Sequence, residues 1–145
     1  MILVDANLLL YAYHSGSARH AASRRWLEST LSGTELVRFA WVTLWAFLRI
    51  ATHPRVFERP LPLADARAAV SSWLEQPVAG IVDAGERHWS ILQELTDDGQ
   101  AVGPLIMDAA LAALAIEHGA TLCTTDRDFS RFPGLKWTNP LEQAR

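Results

Sequence analysis

The sequence predicts an α/β fold: a central parallel sheet of four to five strands with helices on both faces. Three observations predict it. The chain opens on an apolar run, residues 1–4, that ends in an acid, Asp5. Short apolar runs recur at 37–40, 80–83 and 121–124. Longer stretches with apolar residues at helical spacing separate them. Strands alternating with helices read as βαβ units, which place helices on both faces of a parallel sheet.

The opening run lacks the polar alternation of a half-exposed strand, so it reads as buried on both faces. Residues 7–13 then read as helix, and Ser17 offers a cap for a second helix running to Leu31. A short strand over 37–40 precedes an apolar helix over 42–52. The His53-Pro54 step ends that helix, because the residue before proline is pushed out of the helical region. Pro60 and Pro62 bracket a turn before an amphipathic helix over 64–76. A third strand follows at 80–83. The next helix spans 86–96, with Trp89, Leu92 and Leu95 at helical spacing. The alanine-rich segment 105–118 is helical, and Gly119 closes it as a left-handed C-terminal residue. A fourth strand occupies 121–124, DRDFSRF is a short turn or helix, and 135–137 is a possible fifth strand.

At 145 residues, 50% hydrophobic and 20% charged, the chain has the means to bury one core, and a single domain over 1–145 is expected. Its one cysteine, Cys123, has no internal partner, as in a reducing cytoplasm. No basic stretch precedes the opening apolar run. Asp5 and Asn7 interrupt that run far short of the ~20 residues that span a bilayer, so a cytoplasmic chain without a membrane segment is expected. The net charge of −3 argues against a broad basic surface gripping nucleic acid. It does not exclude an acidic site that meets phosphate through cations. Arg19, Arg24 and Arg25, Arg49, Arg55 and Arg59, and Arg127 and Arg131 form local basic groups whose plain reading is a solvated face.

The informative residues are acids where hydrophobicity alone would not put them. Asp5 follows a buried strand, at the carboxyl end that opens toward a ligand crevice in parallel sheets. Capping the next helix is its equally good structural reading. Asp108 lies in IMDAALAALAI, a helix apolar nearly all round, where an ionised carboxylate is costly unless paired, hydrogen-bonded or bound to metal. Its plain reading is an anion in the first helical turn. Asp126 follows TLCTT, again at a strand's carboxyl end, and Asp128 stands two residues on. Either could cap the turn around Phe129, and for Asp128 capping is the better reading. Asp5, Asp108 and Asp126 are therefore expected to converge at one sheet edge. Hard oxygen ligands of that kind suit Mg²⁺ or Mn²⁺, which bind phosphate oxygens and activate water, so the set points to phosphodiester hydrolysis.

At these residues the chain resembles a known family. ILVDANLLLYA resembles the first strand and helix of PIN domains, with Asp5 as the first acid of the metal site. IMDAALAALAIEHGATLCTTDRDFSRFPGLKW resembles their C-terminal half, with Asp108 and Asp126 as the later acids. Thr124 matches the hydroxyl residue before the last acid, and Asn7 a polar neighbour of the site. WVTLWAFLRIATHPRVF is similar to a subgroup of VapC toxins common in mycobacteria. The resemblance implies Mg²⁺- or Mn²⁺-dependent RNA cleavage, with structured targets such as tRNA or ribosomal RNA. It also implies a cognate VapB-type antitoxin and a homodimer. One position departs: many members carry a glutamate where this chain has Ala46, in WAFLRI, which puts a second metal site in question. Arg49, in the same string, is placed for contact with phosphate or an antitoxin acid, or for a structural salt bridge.

Two rivals remain. A haloacid-dehalogenase-type phosphatase also begins with an acid after a buried strand. It needs a second acid two residues on, where this chain has Asn7, and a lysine, of which Lys136 is the only one. A PIN fold serving as a weak or inactive binding module is the other, supported by Ala46 and opposed by the three retained acids. The histidines His14, His20 and His53 lack metal-ligand spacing. His118 has a helix-dipole explanation, and Cys123 reads as a small core hydrophobe. The alanines around 109–113 permit close helix packing, inside the fold or across a dimer.

Overall fold

Five strands form one sheet in the computed structural model, which describes residues 1–142: β1 (Ile2–Val4), β2 (Val37–Ala40), β3 (Ala79–Val82), β4 (Thr121–Cys123) and β5 (Trp137–Thr138). Positions 143–145, part of the one-domain expectation, lie outside the described residues. Every pairing is parallel and the spatial order is β3-β2-β1-β4-β5. Six helices are described: α1 (Ala6–Tyr13), α2 (His20–Leu31), α3 (Trp41–Ala51), α4 (Leu63–Leu74), α5 (His88–Asp98) and α6 (Leu105–His118). A short 3-10 helix covers Arg127–Arg131.

Side chains alternate across a strand, so the sheet feeds two cores. Ile2, Val4, Val37, Phe39 and Cys123 face one layer with residues of α1, α2, α3 and α4. Leu3, Ala40, Val82 and Leu122 face the other, with α5, α6, Phe129 and Phe132. The chain steps outward from β1 to β3 on the first side, then returns past β1 to β4 and β5. Helices on opposite faces for opposite directions of travel are what right-handed crossovers require. In the first core the ring of Trp73 stacks on Phe39 at 5.9 Å and meets Phe47 edge-on at 4.8 Å. Its indole N–H donates to the Tyr13 hydroxyl at 3.2 Å, which satisfies the one polar group of an otherwise apolar anchor. In the second core Ala109, Ala112, Ala113 and Ala115 are fully buried, so the alanine face serves packing inside the fold.

The predicted helices and strands are all found, with ends shifted by one to a few residues, and the differences have local causes. Helix α2 begins at His20 because Ser17 spends its groups on its own turn. The Ser17 hydroxyl accepts from the Arg19 N–H at 3.1 Å and its carbonyl accepts from the His20 N–H. Helix α5 begins at His88, not at Glu86, because Glu117 of α6 claims the preceding amides. The Gly85 N–H donates to Glu117 Oε1 at 2.8 Å and the Arg87 N–H to Oε2 at 3.0 Å. Those donors hold the Glu117 carboxyl below its ordinary range. Trp89 shares the helical spacing of buried Leu95 but is 67% exposed. The fifth strand lies at Trp137–Thr138 and shares only Trp137 with its expected place, 135–137. Gly119 takes φ +67° at the end of α6, as expected. The Cys123 thiol is buried and pushed up to about 12 by that burial. Among the described residues no helix is long and apolar enough to cross a membrane.

Candidate active site

Strand order reverses between β1 and β4: the chain leaves β1 toward β2 and leaves β4 toward β5, on the other side. In parallel sheets this is where a crevice opens beyond the carboxyl ends. Asp5 follows β1 and Thr124 follows β4, and their backbones meet, the Asp5 N–H donating to the Cys123 carbonyl at 3.0 Å. Asp5 takes the capping role and is held at both of its oxygens. Its Oδ1 accepts from the Ala6 N–H at 2.7 Å as the cap of α1, and its Oδ2 accepts from the Thr124 hydroxyl at 2.7 Å.

Thr124 is fully buried and organises this corner. Its oxygen donates to Asp5 and accepts from the Asp126 N–H at 3.0 Å and from Asn7 Nδ2 at 3.3 Å. Asn7 thereby points its amide nitrogen inward and leaves Oδ1 buried with no partner in the protein. Asp126, rather than Asp128, caps the 3-10 helix: its Oδ1 accepts from the Asp128 N–H at 2.9 Å. Asp128 itself lies exposed in the first turn of that helix, so the capping role assigned to it belongs to Asp126.

The acids act on one another. Burial pushes the Asp5 carboxyl up; the Thr124 hydroxyl and Ala6 N–H pull it back, and the Asp126 charge pushes it further. Asp108, in the first turn of α6, is raised from 3.8 to about 6, first by burial and then by the charges of Asp126, Asp5 and Asp128. The charge of Asp126 thus reaches both Asp5 and Asp108, and that of Asp5 reaches Asp108, from the ends of β1 and β4 and the first turn of α6. Arg131 is the cation that opposes it at Asp108. Read from sequence as part of a solvated face, Arg131 is instead half-buried and donates from Nη1 to the Gly99 carbonyl at 3.1 Å. Its Nε is buried without a partner. No sequence pattern marks it, because Gly99 and Asp108 come to it only through the fold.

A groove of about 560 Å³ runs along these acids, lined by Asp5 and Asp108 on one side and by Thr43, Trp45, Ala46 and Arg49 of α3 on the other. Ala46 therefore stands on the groove wall, where its methyl leaves room that a longer side chain would fill. Arg49 is exposed, and its guanidinium has no ion pair or hydrogen bond among the described residues, so the salt-bridge alternative finds no partner. His14, His20 and His53 are engaged elsewhere, on Phe57, the Tyr11 carbonyl and the Arg55 N–H. His118 donates from Nε2 to the Asp83 carbonyl at 2.7 Å, a specific partner beyond the helix dipole.

The donor set fits a hard divalent cation. The raised carboxyls of Asp5 and Asp108 are relieved by positive charge, and the orphaned Asn7 Oδ1 is an acceptor awaiting a donor such as water. Among the described residues no three His, Cys, Asp or Glu form a ready metal cage.

Residues 2–135 match the PIN domain family. Over 140 residues the chain is 46% identical to Ribonuclease VapC37 of Mycobacterium tuberculosis, covering 97% of each chain. Its fold is similar to that in the crystal structure of VapBC2 from Rickettsia felis, bound to a DNA fragment from their promoter. The TM-score is 0.70 and the identity 19%, over 96% of this chain and 98% of that one. A toxin–antitoxin complex from Klebsiella pneumoniae is similar at TM-score 0.66 and 19% identity, over 97% and 98%.

Proposed function

The chain belongs to the PIN domain family, and on that premise we propose that it is the endoribonuclease toxin of a toxin–antitoxin pair. It hydrolyses RNA phosphodiester bonds with Mg²⁺ or Mn²⁺ held by Asp5, Asp108 and Asp126. The observation that carries this reading is the shared field of three carboxyls from three separate elements at the switch point of the sheet. The ribonuclease name of a relative 46% identical along nearly the whole chain supports the substrate class.

A cation bound there supplies positive charge for phosphate oxygens and lowers the pKa of a water. The chain's own groups do the rest. Asp5 and Asp126 are oriented before any ligand arrives, by Thr124 and by the caps they form. Asp108 stands in the first turn of α6, where its carboxylate would hold the ion with those of Asp5 and Asp126. The buried Asn7 Oδ1 accepts from a bound water, and Arg49 binds substrate phosphate or an antitoxin acid.

The proposed partners are a VapB-type antitoxin and a second copy of the chain. The substrate is structured RNA of the tRNA or ribosomal kind, and the compartment is the cytoplasm. The toxin–antitoxin likeness of the fold neighbours supports the pairing. Ala46 favours the second reading, a PIN fold that binds without cutting. Antitoxin-free protein incubated with total bacterial RNA in Mg²⁺, Mn²⁺ or EDTA separates the two. Discrete metal-dependent cuts that vanish in Asp5→Asn and Asp108→Asn establish cleavage. A folded wild type that leaves RNA intact with either metal establishes the binding module.

A further inference from the structure

Helix α3 carries Trp45 and Arg49 four residues apart, so the two side chains share one stripe of its surface. Both line the groove that holds Asp5 and Asp108. Trp45 is 62% exposed, leaving most of a large apolar ring in water. Trp41, one turn earlier, is exposed too but does not line the groove. Among the groove's lining residues Arg49 is the only cation. It makes no ion pair with the acids among the described residues, and the cation that opposes the rise at Asp108 is Arg131. An unengaged guanidinium, an exposed indole and a cluster of carboxyls thus face one space of about 560 Å³, within the ~300–1,000 Å³ typical of ligand sites.

We propose that Trp45 and Arg49 form a subsite for one unpaired nucleotide of single-stranded RNA, the indole stacking on its base and the guanidinium binding the adjoining phosphate. The ligand class rests on the ribonuclease reading. The chemistry of the wall favours this occupant over an apolar protein surface. Burying Trp45 against another chain would also desolvate Asp5, Asp108 and Arg49, at a cost that apolar contact does not return. A nucleotide meets each group in kind: a π-face for the indole and an anion for the guanidinium. Ala46, next to Trp45, keeps that part of the groove open to a planar ring. A base already stacked in a duplex has no free face to offer, so the subsite selects unpaired positions.

The test is fluorescence anisotropy of a short fluorescein-labelled single-stranded RNA, with Asp108→Asn protein in Mg²⁺ to prevent cutting. Trp45→Ala, Trp45→Phe and Arg49→Ala are added to that background, each checked by circular dichroism and by sedimentation. Trp45→Ala weakens binding about tenfold, or about 1.4 kcal/mol, while Trp45→Phe keeps most of the affinity. Arg49→Ala weakens binding and flattens the slope of log affinity against log salt by roughly 0.7, the value for one single-strand phosphate. Unchanged affinity in folded Trp45→Ala overturns the proposal. So does a loss that tracks a change in sedimentation, which assigns the indole to contact between copies. Wild-type protein assayed for cutting in parallel keeps the two readings apart. Cutting with no effect of Trp45→Ala on binding removes the subsite alone; binding through Trp45 without cutting removes the nuclease alone.

Discussion

The Thr124 hydroxyl donates to Asp5 Oδ2 at 2.7 Å, tying the end of β4 to the start of α1 through a carboxylate that also caps the helix. Thr124→Val keeps the shape and removes the oxygen, leaving the Asp126 N–H and Asn7 Nδ2 without their acceptor and Asp5 without its donor. The expected loss is about 1–3 kcal/mol of stability, read by urea unfolding, together with loss of cleavage. Thr124→Ser retains both.

Asp108 carries a stability cost at neutral pH. Its folded carboxyl titrates at about 6 against an ordinary 3.8, so between those values the folded state holds more protons than the unfolded one. Stability of the metal-free protein therefore falls as pH rises from about 4 to 6, and acidification from pH 7 to 5 raises the melting temperature. Asp108→Asn removes that cost. It melts a few degrees higher at pH 7, by roughly 1 kcal/mol after allowing for solvent screening of a half-exposed group, and its stability falls less steeply with pH, the part due to Asp5 remaining, while cleavage is lost.

Divalent cations should stabilise the fold by mass action. Mg²⁺ or Mn²⁺ at a hundred times its dissociation constant adds about 2.7 kcal/mol, and EDTA reverses it. The shift, followed by thermal melting, shrinks sharply in Asp108→Asn and persists in Glu117→Gln, whose carboxylate serves the loop before α5.

Ala46→Glu adds a carboxylate to a groove wall already facing Asp5 and Asp108. Without metal it lowers the melting temperature, because like charges are brought together. With Mn²⁺ it binds the ion more tightly and cuts RNA faster, measured by calorimetry and by initial rates. Equal cation affinity in the two proteins would show that position 46 does not face the ion.

Local patterns reveal what local forces decide. The opening run, the strand at 37–40 and the helix at 105–118 were legible because their apolar spacing is strong, and Asp5, Asp108 and Asp126 stood out because burial makes a carboxylate conspicuous. Ser17 and Asp128 misled for a matching reason: each is a competent cap, but competition among neighbouring donors and acceptors chose otherwise. Thr124 was found through resemblance alone, since its partners Asp5 and Asn7 lie more than a hundred positions away. Arg131 and the exposed Trp45 stayed hidden because composition does not say which arginine is half-buried or which tryptophan meets water.

Cys123 sits in β4 directly before the residue that organises the acids, with its thiol pushed up to about 12. A thiol that stays protonated and shielded is a poor target for peroxide, nitric oxide or alkylating drugs. Cys123 is therefore a poor site for a switch through which oxidative stress would turn the protein on or off. The same inertness makes the chain a ready host for spin or fluorescent labels, because one cysteine engineered on the surface would react alone.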